Sequence, residues 1–285
     1  MTNLPTVDTA HFKENGYLVL RKVFDPSEML AMREKLLKSR ERIIADGQFG
    51  TLPATPKAKY LLGDALSYKE IRDHDYVIFD PRIVESVKKL LGPNLVYFGD
   101  SSLQTGEGAR GFHKDNVDRI GGHLPDWQGD YTILRFGVYY QDHSRHSGGL
   151  KVRAKSQNYP IHHTGKKVDI DSQLGDVVMW NLRTTHSGNN VRLKGFPGLV
   201  LHPRIEAEVP QFLKVPEEKE RVFLSCTFGV PSSHLERYIE NQKKRGDYEP
   251  YWRNSAIGSE FEQLAAARGV EFRRPVDYYG ADYKG

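Results

Sequence analysis

The central part of the chain, residues 96–229, is a series of short apolar runs separated by turn residues. β-Branched and aromatic residues are concentrated in runs such as 133–140 and 222–228, and Gly, Asp and Asn lie between the runs. Short strands with frequent turn signals are typical of an all-β sandwich or barrel. This pattern therefore restricts the core of the fold to β structure, with helices placed at its two ends.

Helices are predicted on both sides of this β-rich centre. Asp25 is a suitable N-cap for the first helix, because Pro26 follows at the first helical position and Glu28 lies three residues after the cap. Leucine and methionine residues then recur at helical spacing until Gly47. Three further helices are predicted: 82–91, 232–244 and 259–268.

The chain shows no internal repeat and no low-complexity linker, so we predict a single domain over residues 1–285. Residues 50–75 contain two prolines and little periodicity, and we expect an ordered loop that covers one mouth of a site. The predicted domain has three parts: a helical front with this cover loop (1–92), a β core with an insertion at 188–220 (93–230), and a helical tail (231–285).

Composition disfavours several classes of protein. A chain of 285 residues can bury roughly three quarters of its unfolded surface, so it needs no disulfide for stability. Cys226 is the only cysteine, which leads us to expect a reducing, cytoplasmic location. The net charge of +4 is mild and scattered, which disfavours nucleic-acid binding. We also expect no membrane association, because no apolar run approaches the ~20 residues that cross a bilayer and the first residues lack signal-peptide features.

Two imidazoles and one carboxylate form the most specific chemical pattern in the β-rich centre. In a strand, residues i and i+2 point to the same side, so His113 and Asp115 can hold one metal ion while Lys114 points away. The third ligand must then come from another strand, and His186 is suitably distant. Such a set is a 2-His-1-carboxylate facial triad, which leaves three coordination positions of a ferrous ion open.

Two other interpretations of this ligand set remain open. A zinc hydrolase also uses two His and one Asp, with an activated water in an open position. A non-catalytic jelly roll that binds a ligand is the second alternative. Other histidines fall in polar turns, where we expect them to be solvated: His143, His146, His162 and His163.

Five short motifs follow one another through the centre of the chain. They are GFHKDN (111–116), ILRFGVYYQDH (133–143), GGLKV (148–152), LGDVVMW (174–180) and THSG (185–188). Their order resembles the phytanoyl-CoA dioxygenase family of Fe(II)/2-oxoglutarate-dependent oxygenases, from about residue 11 to about residue 230. One departure is Lys155-Ser156-Gln157, where the family often has Gly-Ser-His.

The resemblance implies a mainly β fold with flanking helices, built on a double-stranded β-helix core, the cupin-like jelly roll. It implies Fe(II), the cosubstrate 2-oxoglutarate and O₂ as cofactors. It also implies that His113, Asp115 and His186 are the metal ligands and the catalytic residues. Halogenating relatives replace the carboxylate ligand with a small residue, so the presence of Asp115 indicates hydroxylation or another oxidation.

In the family, an arginine that opens the strand after the distal histidine pairs with the C5 carboxylate of 2-oxoglutarate. Arg221 opens the run 222–229, and strand alternation places Ser225 on the same face. An Arg suits this role because its guanidinium binds a carboxylate through two hydrogen bonds. We therefore predict that four residues bind the cosubstrate, namely Arg221, Ser225, Gln104 and Thr105, with Arg192 and Arg204 as alternatives to Arg221.

The predicted function is that of a dioxygenase that hydroxylates, or otherwise oxidises, an aliphatic C–H of a small metabolite. Succinate and CO₂ are the expected coproducts. A polar or anionic substrate is expected because several cationic residues are predicted around the mouth of the site: Lys114, Arg119, Lys151, Arg153 and Arg183. Alternation leaves two possibilities for Arg135, the cavity or the solvent, and two for Trp180, the cavity wall or the core.

Overall fold

The computed structural model describes residues 4–46, 60–72, 77–106, 111–246 and 248–280. Its strands are β1 (Tyr17–Leu20), β2 (Tyr60–Gly63), β3 (Leu95–Thr105), β4 (Ile133–Tyr139), β5 (Lys151–Ala154), β6 (Lys166–Asp169), β7 (Val177–Asn181), β8 (His186–Ser187), β9 (Val222–Gly229) and β10 (Val270–Phe272). Its helices are α1 (Thr9–Asn15), α2 (Pro26–Ala45), α3 (Lys69–Arg72), α4 (Pro81–Leu91), α5 (Pro203–Glu206), α6 (Ser233–Gln242), α7 (Glu249–Arg253) and α8 (Ser259–Ala267).

The strands form two sheets that face each other as a jelly roll, so the predicted fold class is confirmed. The large sheet has the order β1-β7-β4-β9-β3-β10, with β2 paired to β3, and the small sheet has the order β6-β5-β8. All pairings are antiparallel except that of β10 with β3. Apolar side chains from both sheets meet between them: Tyr139, Leu150, Val152, Ile170, Val178, Trp180 and Phe223.

The outer face of the large sheet is covered by the helices of the front segment. Asp25 caps α2 as predicted, because its carboxylate accepts hydrogen bonds from the backbone N–H groups of Ser27 and Glu28. Met29 and Leu36 of this helix belong to one buried cluster with sheet residues such as Phe136. Removing these side chains from water is the main force that holds the front segment on the core.

Both flanking segments add strands that the sequence pattern did not predict. In the front, β1 pairs with β7 and β2 pairs with β3; in the tail, β10 pairs with β3. The predicted cover loop falls partly on residues 50–59 and 73–75, which lie outside the described residues. Its described part contains β2, a short 3₁₀ helix and α3.

The segment between β8 and β9 crosses the outside of the small sheet. It contains α5 and two isolated β-bridges, in which Leu193 pairs with Phe196 and with Lys214. Glu206 of α5 forms a buried ion pair with Lys151 of β5, which attaches this segment to the sheet. Among the described residues, no helix combines the length and the apolar character needed to span a bilayer.

Candidate metal centre and cosubstrate pocket

The backbone brings His113 and His186 side by side at one end of the two sheets. The two residues form an isolated β-bridge, with His113 N–H donating to His186 O at 3.0 Å and His186 N–H donating to His113 O at 2.9 Å. The Asp115 N–H donates to Leu182 O at 3.0 Å. His113 and Asp115 were expected on a regular strand, but they are positioned instead by this bridge and one further hydrogen bond.

The side chains of His113, Asp115 and His186 converge on one point. One potential ligand atom from each residue lies within 4.8 Å of the others. Nε2 of His113 is 3.6 Å from one Asp115 oxygen, and Nε2 of His186 is 3.3 Å from the other. His186 and Asp115 are buried, and His113 is partly exposed. The separation of the three groups matches that of ligands to a single metal ion.

Hydrogen bonds to backbone carbonyls orient both imidazoles. Nδ1 of His113 lies 2.8 Å from Gly111 O, and Nδ1 of His186 lies 3.0 Å from Thr184 O. A carbonyl oxygen can only accept, so each Nδ1 carries a proton, and Nε2 is the ring nitrogen that faces Asp115 and could bind a metal. A backbone carbonyl on the far nitrogen is a common support for a metal-binding histidine.

The carboxylate of Asp115 is held as an anion. Burial alone raises its pKa, but Arg135, His186 and His113 together outweigh burial and hold the pKa well below its usual range. Nη1 of Arg135 donates to Asp115 Oδ2 at 2.8 Å. Arg135 therefore lies inside, beside the candidate metal ligands, and does not face solvent.

A cavity lies beside the three ligands. Two of the residues predicted to bind the cosubstrate, Gln104 and Ser225, line this cavity. The Ser225 hydroxyl is 2.9 Å from the Ser102 hydroxyl, which also accepts from the Gln104 amide at 3.1 Å. Thr105 does not line this cavity, because neighbouring residues of a strand face opposite ways. Its hydroxyl accepts a hydrogen bond from Arg40 Nη1 at 2.8 Å on the other side of the sheet.

Arg221 also lines the cavity and is a buried cation. It is 4% exposed, and its guanidinium lies over the rings of Phe223 and Tyr139 at 4.9 and 5.5 Å. Its Nε has no hydrogen-bond partner, and no carboxylate of the described residues pairs with it. A buried charge is costly unless an opposite charge compensates it, so the pocket is suited to an anionic ligand.

The alternative arginines occupy different surroundings. Arg192 is paired with Asp169, with Nε 2.7 Å from Oδ2. Arg204 is exposed on α5. Neither lines the cavity, so of the three arginines considered for the cosubstrate only Arg221 lies with the three candidate ligands.

Most of the cations predicted at the mouth are buried elsewhere. The ammonium of Lys114 donates to Ser156 O at 2.7 Å and Arg183 O at 2.5 Å, and burial, with Arg183, lowers its pKa to about 7. Lys151 pairs with Glu206, while Arg153 and Arg183 are at most 9% exposed. Only Arg119 of the five is exposed. The expectation that these residues form a cationic surface around the mouth is therefore wrong for the other four.

His143 is also buried, against the expectation of a solvated turn histidine. Its Nδ1 donates to Ser147 O at 3.0 Å, and its Nε2 lies 2.7 Å from the Gln141 amide nitrogen. Burial, together with nearby Arg221, lowers its pKa to about 4. This histidine is therefore a neutral part of the structure behind Tyr139, with which its ring makes an edge contact.

Solved structures with a similar fold include several non-heme enzymes. The α-ketoglutarate-dependent carbocyclase SnoK from nogalamycin biosynthesis has 16% identity and a TM-score of 0.53, over 82% of this chain and 94% of its own. The α-ketoglutarate-dependent epimerase SnoN from the same pathway has 16% identity and a TM-score of 0.52, over 78% and 79%. HygX from Streptomyces hygroscopicus, solved with nickel and 2-oxoglutarate bound, has 15% identity and a TM-score of 0.50, over 77% and 85%.

These similarities establish the fold. No protein-family model matches the chain, and the comparison with curated proteins finds no match. The resemblance to the phytanoyl-CoA dioxygenase family therefore stays a prediction from the motifs.

Proposed function

We propose that the protein is an Fe(II)/2-oxoglutarate-dependent dioxygenase that hydroxylates, or otherwise oxidises, an aliphatic C–H of a small metabolite. The observation that carries the proposal is the combination, in one cavity, of His113, Asp115 and His186 with the buried and uncompensated Arg221. Solved structures of the same fold contain Fe³⁺ with α-ketoglutarate, or nickel with 2-oxoglutarate. We also propose a cytoplasmic location, in keeping with the single buried Cys226.

Eight residues of the cavity have a defined part in this proposal. The two Nε2 atoms and the Asp115 carboxylate would hold the metal ion. Arg221 would pair with the C5 carboxylate of 2-oxoglutarate, and the hydroxyl of Ser225 and the amide of Gln104 would orient the same molecule. Tyr139 and Phe223 wall the pocket and exclude water. When bound, Fe(II), 2-oxoglutarate and O₂ supply the oxidising chemistry, with succinate and CO₂ as coproducts.

The formal charges of the cavity support a divalent metal together with a dianion. Two carboxylates, Asp100 and Asp115, flank Arg135, and Arg221 is the second cation. With neutral imidazoles these four charges cancel. A divalent cation and a dicarboxylate dianion also cancel each other, so binding both leaves the buried charge unchanged.

The proposal is tested by purifying the protein under anoxia, measuring its metal content, and then assaying 2-oxoglutarate turnover. We expect bound iron and succinate release that requires Fe(II) and O₂ together. The zinc-hydrolase alternative predicts retained zinc and an activity that survives strict anoxia. Two results together would contradict the proposal. The protein would release no succinate with Fe(II), 2-oxoglutarate and O₂ across a panel of small metabolites, and its metal content would not depend on the triad.

A further inference from the structure

An irregularity in β3 turns the Asp100 side chain towards Arg135, on the side away from the candidate metal centre. The pairing of β3 with β9 is regular up to Tyr97, opposite Phe228, and resumes at Ser101, opposite Cys226, so three residues of β3 bulge out opposite Thr227. Gly99 within this bulge has φ +83°, and a Cβ there would lie 2.1 Å from Pro275 Cγ. β-Bulges commonly redirect a side chain beside an active site. Here the bulge turns a carboxylate into the space behind Arg135.

Arg135 is held between two carboxylates. Its Nη1 donates to Asp115 Oδ2 and its Nη2 donates to Asp100 Oδ2, both at 2.8 Å, and its Nε donates to Thr227 Oγ1 at 2.9 Å. Nη2 also donates to the Tyr238 hydroxyl at 3.2 Å. The planar guanidinium has fixed donor directions, so these four bonds determine its position. The position of the Asp115 carboxylate is determined in turn, because one of its oxygens is tied to Nη1.

The helical tail completes this arrangement from the side remote from the cavity. Tyr238 of α6 and Tyr248, directly before α7, each donate a hydroxyl hydrogen bond to Asp100 at 2.8 Å. The Gln242 amide donates to the Tyr238 hydroxyl at 3.3 Å, and Trp252 Nε1 donates to Gly99 O at 3.1 Å. The tyrosines and Trp252 are buried. Neither tyrosine lines the cavity, so any effect on a bound metal must pass through Arg135, either directly from Tyr238 or by way of Asp100.

We propose that Arg135 is the positioning residue for the metal-binding carboxylate of Asp115. Tyr248 of the tail sets the position of Arg135 through Asp100, and Tyr238 sets it both through Asp100 and through its direct hydrogen bond with Arg135. This inference rests on the proposed metal site. It assigns the tail a part in the active centre, although the tail contributes no metal ligand. Groups that support metal ligands through hydrogen bonds typically change metal affinity about 10- to 100-fold when they are removed.

The test replaces both hydroxyls in the full chain, as Tyr238→Phe with Tyr248→Phe, and measures Co(II) binding and the visible spectrum of the Co(II) form. We expect the dissociation constant for Co(II) to rise about tenfold or more, with a changed spectrum and intermediate effects in the single variants. Tyr278→Phe is the matched control. Tyr278 also lies in the tail and packs on Trp252, but its hydroxyl has no hydrogen-bond partner among the described residues.

Arg135→Lys and Arg135→Met separate positioning from simple loss of stability. Lysine keeps a cation that can reach one carboxylate, so it should retain more Co(II) affinity than methionine does. An unchanged Co(II) affinity and spectrum in the double tyrosine variant would overturn the inference, even if its melting temperature falls. If the wild-type protein binds no Co(II), or binds it equally well after His113→Ala, the proposed metal site itself is wrong and the inference fails with it.

Discussion

The arginine of the cavity provides the sharpest test of the cosubstrate assignment. Arg221 is 4% exposed and has no carboxylate partner among the described residues. If the C5 carboxylate of 2-oxoglutarate is that partner, Arg221→Ala leaves a buried anion unpaired in the complex. Breaking a buried ion pair in this way costs ~3–5 kcal/mol, which corresponds to a rise of roughly two to three and a half decades in the dissociation constant.

The assay is an anaerobic titration of the metal-loaded variant with 2-oxoglutarate. Metal affinity should be nearly unchanged, because Arg221 has no hydrogen bond or ion pair with His113, Asp115 or His186. Arg204→Ala, at an exposed position outside the cavity, is the matched control and should change 2-oxoglutarate affinity little. Equal affinities for wild type and Arg221→Ala, or a large loss on Arg204→Ala or Arg192→Ala alone, would refute the assignment.

Three further predictions concern the metal ligands, a buried acid and a buried histidine. His113→Ala, Asp115→Ala and His186→Ala should each abolish iron retention in a protein that still folds, as metal analysis and circular dichroism can show; three variants with normal iron content would refute the triad. Burial raises the pKa of Asp64 to about 7, so the folded state favours its proton and stability falls as the pH rises from about 4 towards 7. Asp64→Asn suits the φ of 45° and should gain about 2–3 kcal/mol on wild type between pH 5 and pH 8 in denaturant titrations; a pH-independent difference would contradict this. The pKa of His143 is lowered to about 4 in the folded protein. Its contribution to folding stability is therefore complete above its unfolded pKa and is lost as the pH falls towards 4. The His143→Gln variant should therefore lose less stability than the wild type over this pH range.

The sequence predicted the parts of the fold that depend on local patterns. The turn-separated runs predicted a β sandwich or barrel, and the motif order, through its family resemblance, predicted the jelly roll. The capping residues around Asp25 predicted the first helix. The flanking strands were missed because they are short: β1 has four residues and β10 has three. Segments of this length carry little alternation, and only the edges of the large sheet decide that they become strands.

The candidate metal ligands and the arginine of the cavity could be predicted from sequence motifs and strand position. His113, Asp115 and His186 were recognised from motif order, and Arg221 from its place at the start of the last core strand. Thr105 was misplaced because its neighbour Gln104 takes the cavity side of the strand. Lys114 was misplaced because its long side chain reaches two backbone carbonyls inside the protein.

The support of Asp115 was not predictable from spacing. Strand alternation assigned Arg135 to one face of its strand but did not identify the residues that pair with it. The bulge in β3 interrupts the alternation of that strand, so the direction of the Asp100 side chain could not be predicted. The two tyrosines that bind Asp100 come from the tail, more than 130 residues later in the chain. An arginine within an otherwise apolar strand was the one signal available, because such a charge requires a buried partner.

The most direct test of the central claim is an anaerobic titration of the Fe(II)-loaded protein with 2-oxoglutarate, followed by visible absorption. Chelation of iron by the keto oxygen and C1 carboxylate of the cosubstrate should give a weak charge-transfer band that saturates with 2-oxoglutarate. The account predicts this band in the wild type and its loss in the His186→Ala variant. An Fe(II)-loaded wild type that shows no band at saturating 2-oxoglutarate, or a band that persists without His186, would contradict the proposed centre.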